Sequence, residues 1–297
     1  MDRIGLGVEF ERLFSNNKKV LDAYKSGLNS ERVGKERVTV ASDECKYKDC
    51  DGSGMIYYKN YGGQDIVKMC QCKIDDNAMK CLESLMIPSA FRGLTFDDFD
   101  INAYPDSMKS VARLAVIEAR EYIKEYDDMD GMGLYFVSET TGSGKSMLAC
   151  IVVQELIKKN NIFDNVMYIN LADWAGVIDK ARNFKSEFSV SDVVDEVSSQ
   201  ELILFDDIGC SYEIRGKVAE ALYSVLNRRI SNKKTTLFTS NDNLDSLGYD
   251  VRTISRINGM SKNIVLPEFE VRGEVKSNFV SAFVDRIRRG LVKSKNE

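Results

Sequence analysis

Two kinds of hydrophobic pattern divide the chain. From residue 108 onward, short unbroken apolar runs alternate with stretches whose apolar positions recur every three or four residues. The runs cover residues 133–138, 166–170, 202–205 and 235–239. The periodic stretches cover 108–126 (Val111, Leu114, Ala115, Ile117, Ala119, Tyr122), about 146–159, 174–184 and 217–230. A continuous apolar run of this length reads as a strand buried on both faces, and a 3.6-residue period reads as a helix. Strands interleaved with helices predict a parallel sheet with crossover connections, an α/β fold.

The first part of the chain reads differently. Residues 1–40 predict helix, with Phe10, Leu13, Phe14, Val20, Leu21 and Leu28 set among charges. Residues 41–75 hold four cysteines, the turn Asp51-Gly52-Ser53-Gly54 and the short aromatic piece Met55-Ile56-Tyr57-Tyr58. These predict a small knuckle-and-hairpin module. A helix carrying Met79, Leu82, Leu85 and Met86 follows and stops near Pro88, which places a boundary at about residues 82–90.

Composition adds exclusions. The chain has 297 residues, 43% of them hydrophobic and 29% charged, as in ordinary globular proteins. It contains no histidine, so acid–base chemistry falls to carboxylates or lysine. A net charge of −5 is neutral evidence about nucleic acid, since a local basic face suffices. With no apolar run of membrane-spanning length and no signal-peptide pattern, a cytoplasmic protein without membrane contact is expected. Its seven cysteines then predict metal ligation where they cluster, not disulfides.

Glu139-Thr140-Thr141-Gly142-Ser143-Gly144-Lys145-Ser146 lies between a predicted strand and a predicted helix, the context a phosphate-binding loop requires. Glycines let successive N–H groups turn inward, and the helix N-terminus adds partial positive charge. Thr141, Gly142, Ser143, Gly144, Lys145, Ser146 and Met147 are the expected ATP-binding set. Lys145 reaches the β- and γ-phosphates and the Ser146 hydroxyl ligates Mg²⁺. Glu139 stands where the pattern usually has its first glycine. About 60 residues on, the run 202–205 delivers Asp206 and Asp207 at its C-terminal edge. Asp206 is the expected Mg²⁺ partner, through water, and Asp207 is placed to polarise the attacking water. Asn241, at the tip of the fourth run, can contact both γ-phosphate and water.

Cys45 and Cys50 are separated by four residues, Cys70 and Cys72 by one, and the pairs by nineteen. Two close pairs bracketing a hairpin predict a zinc ribbon with four thiolate ligands. Iron–sulfur ligation is a further reading, and Cys81 an alternative ligand. Cys150 and Cys210 read as packing residues. Arg228, Arg229, Lys233 and Lys234 form one basic cluster, and Arg286, Arg288, Arg289, Lys293 and Lys295 another. Trp174 and Phe184 offer either stacking surface or core.

In combination these residues resemble the DnaC/DnaI-type replicative helicase loaders of bacteria and phages. Residues 87–99, Ile-Pro-Ser-Ala-Phe-Arg-Gly-Leu-Thr-Phe-Asp-Asp-Phe, are similar to the segment preceding that family's ATPase core. The phosphate loop, Asp206-Asp207-Ile208-Gly209, Leu226-Asn227-Arg228-Arg229 and Thr239-Ser240-Asn241 follow in the family's order. The resemblance spans roughly residues 85–275. It implies an AAA+ P-loop core with a parallel sheet, preceded by a small helical/zinc-ribbon domain. In that core Asn241 resembles the sensor-1 residue, Arg256 the arginine finger and Arg272 the sensor-2 arginine. Only 56 residues follow Asn241, which predicts a reduced lid. The implied organisation is a helicase-contacting, zinc-binding module over 1–82, a linker over 83–107 and an AAA+ ATPase domain over 108–297. The implied function is ATP-dependent delivery of a hexameric replicative DNA helicase to single-stranded DNA, with slow, switch-like hydrolysis and self-association on the helicase. An IstB-type transposition helper ATPase is the alternative.

Overall fold

The computed structural model describes residues 35–60, 65–85, 87–183, 188–209 and 216–271. Most of the helix expected over 1–40 lies outside these residues, as do Met86, Phe184, Cys210, Arg272 and the C-terminal basic cluster. The chain divides into two compact units, with the boundary between Asp76 and Asn77.

The first unit holds an antiparallel meander of β1 (Lys35–Arg37), β2 (Met55–Asn60) and β3 (Ile66–Met69). Arg37 pairs with Tyr58, and Met55 with Met69. The strand Lys35–Arg37 corrects the helix read to residue 40, because three residues at a sheet edge carry no periodicity. Among the described residues of this unit the buried core is Cys45, Cys50, Ile56 and Cys70, flanked by Tyr58 and Cys72. Gly54 has φ +79°, and a Cβ there would lie 2.7 Å from Lys73 Cβ. Only glycine fits that turn. The helix α1 (Gln71–Ser84) starts directly after Cys70, ten residues earlier than Cys81.

The second unit carries a five-stranded parallel sheet: β4 (Gly133–Val137), β5 (Val166–Asn170), β6 (Leu202–Asp206), β7 (Thr235–Ser240) and β8 (Ser261–Val265), in the order β5-β6-β7-β4-β8. Alternate residues serve opposite faces. Leu134, Phe136, Leu202 and Leu204 join one core cluster, while Tyr135, Val137, Ile203 and Phe205 join the other. Both faces are therefore dry, which is why these strands read as unbroken apolar runs. On the first face lie α2 (Lys109–Glu125) and α3 (Lys145–Asn160). The second face packs α4 (Leu171–Ala181), α5 (Val190–Ser199), α6 (Lys217–Ser231) and α7 (Val251–Met260). Trp174 is core, 5% exposed and edge-on to Phe205 at 6.1 Å.

Sequence periodicity missed β8 and α5. β8 exposes three of its five residues at the sheet edge, and α5 is announced mainly by its capping box, Ser189 with Asp192. Arg229 is fully buried. Its guanidinium donates to the carbonyls of Gln200 (2.6 Å) and Thr235 (2.5 Å) and to Thr236 Oγ1 (2.9 Å). It thus joins the end of α5 to the start of β7.

Residues 87–104 form three short helical turns, Ser89–Phe91, Phe96–Asp98 and Ile101–Ala103. Buried Gln154 of α3 grips them, donating to the Phe91 carbonyl at 2.9 Å and accepting from the Gly93 N–H at 2.6 Å. Ile87, Phe99 and Tyr104 complete the core on this side.

Candidate nucleotide and metal sites

The turn from β4 into α3 is the predicted phosphate loop. Gly142 and Gly144 have φ of +74° and +93°, a region closed to most side chains. A Cβ on Gly144 would also approach the Tyr104 hydroxyl to 2.8 Å and the Phe99 ring to 3.0 Å. Tyr104 Oη donates to the Ser143 carbonyl at 2.8 Å, fixing the peptide before Gly144. Residues 99–104 therefore press on the loop directly, a contact that spacing alone did not reveal. Lys145 is 7% exposed, and its Nζ donates to the carbonyls of Ser138 (2.9 Å) and Thr140 (2.8 Å). Ser146 and Met147 follow in the first turn of α3, half-buried. Thr141 is exposed at the crest of the loop.

Glu139 does not have a positive φ, so a side chain at this usual glycine position strains nothing. Its carboxylate is exposed and accepts from Asn243 Nδ2 at 3.0 Å. The chain after β8 then runs along the loop. Leu266 N–H donates to the Val137 carbonyl at 2.8 Å, and Val271 N–H to the Gly142 carbonyl at 3.0 Å. Arg272 is the next residue after that contact.

Asp206 ends β6 with both carboxylate oxygens held. Tyr168 Oη donates to Oδ2 at 2.7 Å, and Thr239 Oγ1 to Oδ1 at 2.6 Å. Neither partner was singled out from sequence, although each sits on a strand neighbouring Asp206, Tyr168 two residues before Asn170, which pairs with Asp206. Asp207 has φ +59°, a strained value for a residue with a side chain. Thr239 Oγ1 accepts from its N–H at 2.8 Å, and Asn241 Nδ2 donates to its Oδ1 at 3.2 Å. Burial, followed by the charge of Asp206, pushes the Asp207 carboxyl above the usual value of 3.8, with Lys145 opposing. The structure thus brings together Asp206, Asp207 and Asn241 at the sheet's C-terminal edge, with Lys145 close enough to act on Asp207. Arg256 sits half-buried on α7, with its Nε buried and without a hydrogen-bond partner.

The residues fit the groups they imply. Glycines with left-handed φ, a buried lysine and a helix N-terminus are the parts a polyphosphate cradle requires. Ser146 and Asp206 are oxygen ligands suited to Mg²⁺. In the first unit, Cys45, Cys50, Cys70 and Cys72 place all four Sγ atoms within 4.8 Å of one another. Cys45 and Cys70 are 3.7 Å apart, and Cys50 and Cys72 3.6 Å. Tetrahedral zinc with Zn–S bonds near 2.3 Å requires sulfurs about 3.8 Å apart. The Asp49 N–H on Cys45 Sγ favours thiolate and lowers that group to about 6. Cys81 is packed with Leu82 and Leu85 in the second unit's core, and Cys150 is buried in α3.

The predicted basic cluster is split by the fold, with one member inside and three at the surface in ion pairs. Arg229 is internal, and Arg228, Lys233 and Lys234 pair with Asp195, Asp130 and Glu201 respectively. No helix among the described residues is long and apolar enough to cross a membrane.

No protein-family model matches the chain. It is 25% identical over 219 residues to the phage-like element PBSX protein XkdC of Bacillus subtilis, covering 69% of this chain and 76% of that protein. It is also 25% identical over 182 residues to the replicative helicase loader DnaI of Bacillus subtilis, covering 61% of this chain. It therefore spans about half of DnaI's length, 53%. Among solved structures, a crystal structure of DnaI superposes with a TM-score of 0.52 at 18% identity, over 66% of this chain and 99% of the other. Parallel sheet, strand-to-helix phosphate loop and these likenesses agree: the chain has the AAA+ P-loop fold of the DnaC/DnaI-type helicase loaders.

Proposed function

We propose that this protein is an ATP-controlled helicase loader, which binds a hexameric replicative DNA helicase and delivers it to single-stranded DNA. The observation that carries this reading is the joint arrangement of the phosphate loop with Asp206, Asp207 and Asn241 on a loader-like sheet. Similarity to a relative described as a replicative helicase loader supports it.

In this reading the loop N–H groups from Thr141 to Met147 bind the phosphates, and Lys145 neutralises charge on the β- and γ-phosphates. Ser146, and Asp206 through water, would hold Mg²⁺, whose charge would neutralise the phosphate oxygens. Tyr168 and Thr239 keep the Asp206 carboxylate aimed at that position. Asp207 orients the attacking water and takes up its proton, while Asn241 holds the Asp207 carboxylate and senses the γ-phosphate. An aspartate is shorter than the glutamate more often found in this role, which suits slow, switch-like hydrolysis. Arg256 and Arg272 supply transition-state charge, the former to a neighbouring copy assembled on the helicase. The four cysteines of the first unit hold zinc and shape the helicase-contacting module.

Native mass spectrometry of the protein mixed with its host's replicative helicase, with and without ATP, tests the reading. An ATP-dependent complex on the hexameric ring is expected. Absence of any complex, with ATP-dependent assembly on DNA alone, would remove the loader function.

A further inference from the structure

Beyond β8, Glu268 places its carboxylate on the first residues of the phosphate loop. Oε1 accepts from the Glu139 N–H at 2.9 Å. Oε2 accepts from the Thr140 N–H at 2.7 Å, the Thr140 hydroxyl at 2.9 Å and the Ser138 hydroxyl at 3.2 Å. Burial would raise this carboxyl, but the N–H and hydroxyl donors outweigh it and hold it below its ordinary 4.5. Two N–H groups and the Thr140 hydroxyl converge on one carboxylate, while the Ser138 proton is shared with the Pro267 carbonyl at 3.1 Å; this makes an anchor stronger than a surface ion pair.

The same short stretch meets Lys145 from its other side. The peptide joining Ser138 to Glu139 gives its N–H to Glu268 and its carbonyl to Lys145 Nζ. Thr140 gives its N–H and hydroxyl to Glu268 and its carbonyl to the same ammonium. These two carbonyls, with the Ser143 hydroxyl at 3.2 Å, set the position of Lys145, and Glu268 fixes the orientation of the backbone that carries the carbonyls.

We propose that Glu268 is a positioning residue for nucleotide binding, which acts through the backbone of residues 138–140 to hold the Lys145 ammonium where phosphate is received. The proposal rests on the reading of the loop as an ATP site. It gives a function to a side chain outside every motif that identified the site. Removing the carboxylate leaves the segment attached, because Leu266 and Val271 still make their backbone bonds to Val137 and Gly142. The effect on binding is therefore separable from loss of fold.

The test is calorimetric titration of ATP and ADP into the full chain as wild type, Glu268→Ala, Glu268→Gln and Lys145→Ala, with thermal melting of each. Glu268→Ala is expected to weaken ATP binding about tenfold or more, the usual effect of losing charged hydrogen bonds. Glu268→Gln keeps the size and one acceptor and is expected to restore part of the affinity. Melting midpoints of both should stay at the wild-type value. ATP affinity unchanged in Glu268→Ala, beside a wild type that binds and a Lys145→Ala that does not, overturns the proposal alone. An affinity loss matched by a fall in melting midpoint in both Glu268 variants overturns it too, as a structural effect. A wild type that binds neither nucleotide removes the ATP-site reading itself, and the proposal with it.

Discussion

Tyr168 and Asp206 are joined across the β5–β6 pair, the phenol donating to Oδ2 at 2.7 Å. In the parallel register Asn170 faces Asp206, so Tyr168 is the diagonal neighbour on the same face, within reach of an aromatic side chain. Burial, and then the Asp206 charge, push the Tyr168 hydroxyl well up, so it donates its proton throughout the working range. Tyr168→Phe removes that donor and leaves the ring's packing. Mg²⁺-dependent ATP turnover should fall roughly tenfold or more, the cost of one hydrogen bond to a charged group. A Mg²⁺ titration checks it, and an unchanged profile would show that Thr239 alone holds Asp206. Asp206→Asn, which removes the ligand itself, should abolish the Mg²⁺-dependent rate.

Asp207 predicts a pH dependence. Its carboxyl stands above the usual aspartate value because the group, though solvent-accessible, is partly desolvated and Asp206 lies beside it. As a proton acceptor it works only when ionised, so turnover should decline as pH falls through this raised value. The rate of Asp207→Asn should be low and flat over the same window. The sign for stability is the reverse. A carboxyl raised on folding favours the native state at pH below its unfolded value, and that contribution is lost as pH rises through the folded one. Asp207→Asn should therefore raise the melting midpoint at neutral pH. A midpoint that falls instead would show that Asn241 and Lys145 outweigh the burial.

The zinc site predicts a folding dependence confined to one unit. Among the described residues of the first unit, Cys45, Cys50, Cys70 and Ile56 form the buried cluster, and three of its four members are thiols suited to metal. Structural zinc contributes roughly 10–16 kcal/mol in comparable thiolate sites. One zinc per chain is expected on metal analysis. Chelation should unfold the first unit, seen by hydrogen exchange in residues 35–76, while ATP binding by the second unit persists. Cys50→Ser should lower zinc stoichiometry, and Cys81→Ser should leave it intact. Retention of full metal in the Cys50 variant would exclude the four-cysteine ligand set.

How much of this was legible in the sequence depends on the kind of contact. Four strands, the phosphate loop and Asp206 were readable because burial on both faces writes itself as unbroken apolar runs, and phosphate cradles need glycines at fixed spacing. The cysteine cluster was readable because thiolate ligation restricts residue type. Tyr168, Thr239, Glu268 and Gln154 were not, since each acts through long-range hydrogen bonds and any polar residue on a strand or helix looks alike in one dimension. β8 failed for a related reason: an edge strand with Lys262, Asn263 and Val265 exposed has neither an apolar run nor strict alternation.

Arg229 shows the same limit from the opposite side. Among Arg228, Lys233 and Lys234 it reads as a nucleic-acid contact, yet it is fully buried and bound to carbonyls from two elements. Burial holds its guanidinium down at about 10, still charged at neutral pH. Arg229→Met would bury the Gln200 and Thr235 carbonyls without a donor and break the tie between α5 and β7. Each orphaned acceptor costs about 1–3 kcal/mol, so the variant should lose roughly 3 kcal/mol or more in urea unfolding. Exposed Arg228→Met loses only a surface pair with Asp195 and should stay within about 1 kcal/mol of wild type. Single-stranded DNA binding, measured at a temperature where both variants are folded, separates the two roles. Arg229→Met should bind as wild type does, and a selective loss of DNA affinity with unchanged stability would return Arg229 to the surface.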